Sequence, residues 1–165
     1  MRELKKIDGE TIVYCDEVGV HDNIAPIYGW SAQGVRSYGE RDGRSKKKLN
    51  IVAGLNNKKL IAPFEYFGNT DSSVFIDWVT NHLCPSLKTG QTIILDNASF
   101  HKSKEVKEAI EKVGCKLLYL PPYSPDLNPI ERCWANLKNC LRKIRRKFDN
   151  LQTAITQAMR ITFSG

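Results

Sequence analysis

The sequence predicts an α/β domain, a mixed five-stranded sheet flanked by helices, and three observations lead to it. Five short apolar or β-branched runs are bounded by turn residues. The first three have no helical segment between them, and the second and third are separated by a hairpin-length break. After residue 70 helical and strand periods alternate, which implies later strands parallel to the first, with helices crossing over the sheet.

Taken in order, TIVYCDEVGV (11–20) is β-branched and aromatic, ends in a glycine-containing turn, and carries Asp16 near its C-terminal end. Residues 24–48 are broken by Pro26, Gly29, Gly34, Gly39 and Gly43 and read as a loop with a short strand near 35–38. LNIVAGL (49–55) and KLIAPFEYF (59–67) form a hairpin across NNK. Apolar residues at 75, 76, 79 and 83 predict a helix over 73–83, capped by Asp71 or Ser72. QTIILDN (91–97) is a short strand ending in Asp96 and Asn97. A helix over 104–113 is closed by Gly114 in the left-handed position, and CKLLYL (115–120) reads as a buried strand. Ile130, Cys133, Trp134, Leu137, Leu141 and Ile144 form one stripe of a helix running from Pro129 to about Phe148, and a last helix covers 150–161.

Composition sets bounds on function. A chain of 165 residues is expected to form a single domain over 1–165, large enough to bury roughly two-thirds of its unfolded surface without staples. Hydrophobic and charged fractions of 41% and 26% exclude wholesale disorder. No secretory leader and no apolar run of ~18 residues is present, so a cytoplasmic, nucleoid-associated protein is expected. Five scattered cysteines without a CxxC pair suit reduced, core-filling thiols better than zinc. The net charge of +7 is concentrated: RDGRSKKK (41–48) and KNCLRKIRRK (138–147) hold eleven of the 25 basic residues with Asp42 their only acid. Such runs are commonly solvated faces, but two in one small chain favour a phosphate backbone, with Lys46, Lys47, Lys48, Arg142, Arg145 and Arg146 as candidate DNA contacts.

The stretch LPPYSPDLNPIERCWANLK (120–138) holds four of the seven prolines. Proline fixes φ and extends the residue before it, so this is a stiff lead-in to a helix with Asn128 as the expected N-cap and Glu131 three residues on. One reading is a capping box. The other is that the lead-in aims Glu131 at Asp16 and Asp96, which lie at the carboxyl ends of neighbouring parallel strands, where ligands gather. Two such aspartates repel unless a cation lies between them, and hard Mg²⁺ takes carboxylate oxygens. Two ions roughly 3.5–4 Å apart support in-line phosphodiester displacement. Singly, each aspartate also reads as a turn former.

Together, YCDEVGV, ILDNASFHKS and LPPYSPDLNPIERCWANLK resemble the catalytic domain of mariner-superfamily DDE transposases, most closely the bacterial insertion-sequence branch known as the IS-six-thirty family. The resemblance runs from about Ile12 to the final helix, and the spacing of 34 residues between Asp96 and Glu131 is that of the family. It implies a ribonuclease-H-like fold, with Asp16, Asp96 and Glu131 as catalytic and metal-binding residues for two Mg²⁺ ions, Mn²⁺ substituting. The implied reaction is hydrolytic nicking of double-stranded DNA at transposon ends, then attack of a 3′-hydroxyl on target DNA, typically at TA sites. Asn97 and His101 match the second motif as phosphate contacts, or serve only as turn and helix-start residues. Trp30 matches a GW motif, with Ala32 where proline is common; Trp134 reads as core, and Tyr123 fits either role.

Family members carry a helix-turn-helix region ahead of this domain, and no recognition-helix pattern is found here before the first strand. A catalytic half is therefore expected, joined to an upstream helix-turn-helix frame, truncated or excised, and working as a homodimer. The alternative is a catalytically inactive or truncated DNA-binding remnant. A ribonuclease H or junction resolvase would share the acidic triad but not the proline-rich motif.

Overall fold

Apolar side chains on both faces of Ile12–His21 (β1) require cover from two sides, and this strand is the centre of the sheet. The computed structural model of the chain describes residues 11–22, 24, 48–122 and 124–163. Lys48–Asn56 (β2) and Lys59–Phe67 (β3) form the expected hairpin, turning through Asn57 and Lys58 at φ of 45° and 66°, the left-handed pair that matches strand twist. β2 is antiparallel to β1, while Thr92–Leu95 (β4) runs parallel to β1 and Lys116–Tyr119 (β5) parallel to β4. The sheet order is β3-β2-β1-β4-β5, a mixed five-stranded sheet as expected.

Helices cover both faces. Even-numbered Val18 and Val20 of β1 meet Ile130, Trp134, Leu137 and Leu141 of Ile130–Ile144 (α4) and Leu151, Ala154, Ile155 and Ala158 of Leu151–Phe163 (α5). Odd-numbered Val13 and Cys15 meet Phe75 and Trp78 of Ser72–Trp78 (α1) and Val106 and Ile110 of Lys104–Lys112 (α3). This period-two partition sends the buried apolar residues Val18 and Val20 of β1 to one helical layer and Val13 and Cys15 to the other. Asp71 caps α1 by accepting from the Ser73 and Val74 amides at 2.9 and 3.0 Å, and Gly114 closes α3 at φ +76°. Asn150 caps α5, its Oδ1 accepting from the Thr153 amide at 2.8 Å.

Several expectations are corrected. The first helix does not stop at Leu83: it passes through a π turn, Val79–Leu83, into Cys84–Ser86 (α2), so that Pro85, which lacks an amide hydrogen, is accommodated. β5 is an edge strand rather than a buried one, with Leu118 and Tyr119 exposed, because among the described residues no further strand pairs beyond it. Asn128 makes no side-chain cap; its Oδ1 is buried with no hydrogen-bond partner among the described residues, and the Glu131 amide bonds the Asn128 carbonyl instead at 3.1 Å. The short strand near 35–38, Trp30, Ala32 and Tyr123 lie outside the described residues. All five cysteines are free thiols, three buried and two half-buried. Among the described residues no helix is long and apolar enough to cross a membrane.

Candidate active site

The β1–β4 ladder ends at Tyr14 opposite Ile94, and Asp16 and Asp96 each lie two residues beyond it. Asp16 is thus mid-strand against β2, not at the end of β1, because β1 continues to His21 opposite Lys48. The end that matters is that of the parallel pairing, where two strands part and open a crevice. The third acid arrives along the proline lead-in. The Leu120 amide bonds the Leu95 carbonyl at 2.8 Å, Leu120 packs with Ile12 and Ile94, and a 3₁₀ turn over Pro125–Leu127 delivers Ile130 into the core. Glu131, the next residue, is left exposed in the first turn of α4.

These pieces enclose a pocket of about 430 Å³ lined by Asp16, Asp96, Asn97 and Ala98, by Leu120, Pro121, Pro122, Ser124 and Asn128, and by Glu131. The structure thus brings the three acids predicted from the sequence to one cavity, together with Asn97. Asp16 is the most buried of them, with 8% of its surface exposed. Burial, then the charges of Glu131, Glu17 and Asp96, push its carboxyl up to about 7 against a backbone hydrogen bond at Glu17. Among the described residues no three His, Cys, Asp or Glu side chains are grouped tightly enough to hold an ion as they stand. Uncompensated carboxylates repel, and Glu131, on an exposed turn, can swing. A set of carboxylate oxygens whose most buried member is raised by burial and then by its acidic neighbours fits a hard divalent cation.

Asp96 is held differently. Its Oδ1 accepts from the Ala98 amide at 2.9 Å and faces His101 Nδ1 at 2.5 Å. The hydrogen bond from His101 is the main reason its carboxyl stays below the usual carboxylate range. His101 Nε2 lies 3.3 Å from Glu17 Oε2. Burial opposes charge on this ring, but the bonds to Asp96 and Glu17, and their charges, raise it to about 9. The ring has no accessible surface and lies 4.2 and 4.3 Å from the rings of Phe75 and Phe100. The expected phosphate contact at His101 is therefore corrected: both nitrogens are engaged inside the protein.

Arg145 is a second correction. Its guanidinium bonds Asp22 through Nε at 2.9 Å and also through Nη2, and the Phe148 carbonyl through Nη1 at 2.7 Å, tying the end of α4 to the end of β1. Arg142 is half-buried and bonds Asn139, whereas Arg146 is exposed on the 3₁₀ turn Arg145–Lys147. These residues lie at the opposite end of α4 from Glu131, roughly 17–22 Å along a helix rising 1.5 Å per residue. Lys48 is exposed at the start of β2; Lys46 and Lys47 lie outside the described residues. Trp134 is core, as expected. Sequence reasoning missed Glu17 as a partner of His101. Its signal was there: both faces of TIVYCDEVGV are apolar, so a charge on either face needs a partner.

A family model described as DDE superfamily endonuclease matches residues 11–155. The Tcb2 transposase of Caenorhabditis briggsae is 35% identical over 91 residues, covering 50% of this chain and 33% of that protein. An IS630 insertion-element protein of Shigella sonnei, an uncharacterized 39 kDa protein, is 27% identical over 135 residues, 80% of this chain and 39% of that one. The chain spans well under half the length of these relatives. Among solved structures, the Mos1 strand transfer complex matches with a TM-score of 0.79 at 20% identity, over 99% of this chain and 50% of that chain. The mariner Mos1 paired end complex with Mg gives 0.78 at 18% identity, over 99% and 51%. The catalytic core domain of BIV integrase gives 0.55 at 10% identity, over 92% and 82%. At these identities the likeness is one of fold, and the fold is ribonuclease-H-like.

Proposed function

Because the chain belongs to the DDE superfamily endonuclease family, we propose that it is the catalytic domain of a transposase, cutting DNA at element ends by hydrolysis and joining the resulting 3′-hydroxyl to target DNA. One observation carries this reading: Asp16, Asp96 and Glu131, from the middle of β1, the end of β4 and the head of α4, line one pocket, where burial first and the neighbouring carboxylates second push the Asp16 carboxyl up to about 7. Asp16, Asp96 and Glu131 would hold two Mg²⁺ ions, with Mn²⁺ able to substitute. Bound there, they would supply Lewis-acid stabilisation of the attacking and leaving oxygens.

The chain's own residues divide the work. Asp16, between its two partners and most buried, is the shared carboxylate. Asp96 is oriented by Ala98 and His101 and presents its remaining oxygen to the pocket. Glu131 closes the set from the first turn of α4, and Asn97, on the pocket wall, is placed to donate to a substrate phosphate. Pro121 and Pro122 form a rigid wall that orients the strand being cut.

The substrates are double-stranded transposon-end and target DNA, with TA dinucleotides as target sites. Two copies of the chain pair two ends, as the paired end and strand transfer complexes of Mos1 suggest by fold likeness, and an upstream helix-turn-helix supplies end recognition. The 1–165 chain then acts as one catalytic domain. Nicking of supercoiled plasmid in Mg²⁺ or Mn²⁺, lost in EDTA and not replaced by cleavage of an RNA–DNA hybrid, is the expected result. Preference for the hybrid would instead favour a ribonuclease H, and DNA binding without cleavage in either metal would favour an inactive remnant.

The corrected roles of the α4 arginines make a separate test. Arg146→Ala is expected to lower the salt slope of DNA binding by about one unit, as loss of a phosphate contact does, with stability within about 0.5 kcal/mol of the parent. Arg145→Ala should leave that slope unchanged and cost about 1–3 kcal/mol of stability, because it strips charge-assisted bonds to Asp22. Fluorescence-anisotropy titrations over a salt series and urea denaturation measure the two effects.

A further inference from the structure

The backbone alone does not set the distance between Asp16 and Asp96. Pairing of β1 with β4 stops at Tyr14 and Ile94, and beyond it no ladder bond joins the segments carrying Asp16 and Asp96. Side chains take over at that point. Glu17, adjacent to Asp16, projects to the opposite face of β1 by strand alternation and meets His101 Nε2 at 3.3 Å. The same ring meets Asp96 Oδ1 through Nδ1 at 2.5 Å. The ring cannot drift: it is fully buried against Phe75 and Phe100, and its backbone carbonyl accepts from the Tyr119 hydroxyl at 3.0 Å, which ties it to β5.

We propose that Glu17 and His101 are positioning residues, a hydrogen-bonded bridge that sets the separation of the Asp16- and Asp96-bearing strand ends and leaves Asp96 a single free oxygen for the pocket. The bridge spans the gap left where the parallel ladder ends, and does so from the face of the sheet opposite the pocket, so it shapes the acid pair without occupying the space needed by cation or DNA. With Oδ1 engaged by both Ala98 and His101, Asp96 acts through Oδ2 alone. This inference rests on the reading of Asp16, Asp96 and Glu131 as cation ligands.

The test uses the whole 165-residue chain and Mn²⁺ alone, without DNA, with free Mn²⁺ read by electron paramagnetic resonance and folding by thermal melts. Glu17 is partly exposed and can be truncated without opening the core. Glu17→Ala is expected to weaken Mn²⁺ binding about 10- to 100-fold, the effect typical of losing a group that orients a ligand, with a near-parental melting temperature. Glu17→Gln keeps an acceptor for His101 Nε2 while losing the charge, and should stay within roughly threefold of the parent. Parental affinity in folded Glu17→Ala would overturn the bridge, and so would equal loss in Glu17→Gln and Glu17→Ala, since charge rather than the hydrogen bond would then be responsible. Failure of the underlying reading looks different: the parent's Mn²⁺ affinity would be unchanged by Asp16→Asn, and the bridge would fall with it.

Discussion

Asp96→Asn is expected to reduce Mg²⁺-dependent nicking of supercoiled duplex DNA by roughly 10³-fold or more, the consequence of losing several kcal/mol of charge stabilisation at the reacting phosphate. The substitution is nearly isosteric. An asparagine oxygen can still accept from the Ala98 amide and from His101, so the turn after β4 survives. What is lost is the negative charge and the hard anionic oxygen facing the pocket, which an amide replaces poorly. DNA binding, driven by the basic residues, should persist. Agarose-gel relaxation assays beside anisotropy binding measure both quantities, and nicking equal to the parent's would remove Asp96 from the chemistry.

Asp16→Asn is expected to stabilise the metal-free protein at pH 8 while abolishing cleavage. The folded-state value of about 7 lies above the ordinary 3.8, so the folded chain keeps a proton that the unfolded chain has released. Stability therefore falls as pH rises from about 4 to about 7, and the cost is complete above that, on the order of 4 kcal/mol. Asparagine has no proton to lose. The variant should match the parent near pH 4 and exceed it at pH 8 by up to that amount, read by urea denaturation in EDTA. His101, raised to about 9, adds stability that is full below its ordinary value and is lost as pH rises toward 9, in parent and variant alike. The difference between the two proteins isolates Asp16. Added Mg²⁺ should raise the parent's melting temperature at pH 8 and leave the variant's nearly unchanged, since a ligand stabilises only the state that binds it.

Such a gain in stability on removing a functional side chain reflects what the pocket stores. Three acids converge where burial and repulsion penalise the central one, and the fold tolerates this because β1 is gripped by helical layers on both faces.

Much of this was legible in the residues themselves. The hairpin at Asn57 and Lys58, the cap at Asp71, the left-handed Gly114 and the stripe of α4 each depend on interactions within a few residues, so local chemistry suffices to identify them. The errors share a cause as well. CKLLYL is as apolar as a central strand, and β5 is an edge because no strand among the described residues pairs beyond it. His101 and Arg145 look like surface cations in sequence, but their partners, Glu17 and Asp22, are 84 and 123 residues away. Asn128 had suitable cap chemistry, yet in the fold α4 begins after Pro129 with no side-chain cap.

By itself the sequence determined the strands and helices and their order, because periodicity, caps and turns are short-range properties of the chain, and the resemblance of its three motifs to a known family singled out the three acids. Tertiary structure alone decided that β1 and β4 part beyond Tyr14 and Ile94, that Asp16, Asp96 and Glu131 share a pocket, and that His101 turns inward to Glu17. Those outcomes depend on packing among segments distant in the chain, where burial and charge are set by neighbours that no local window contains.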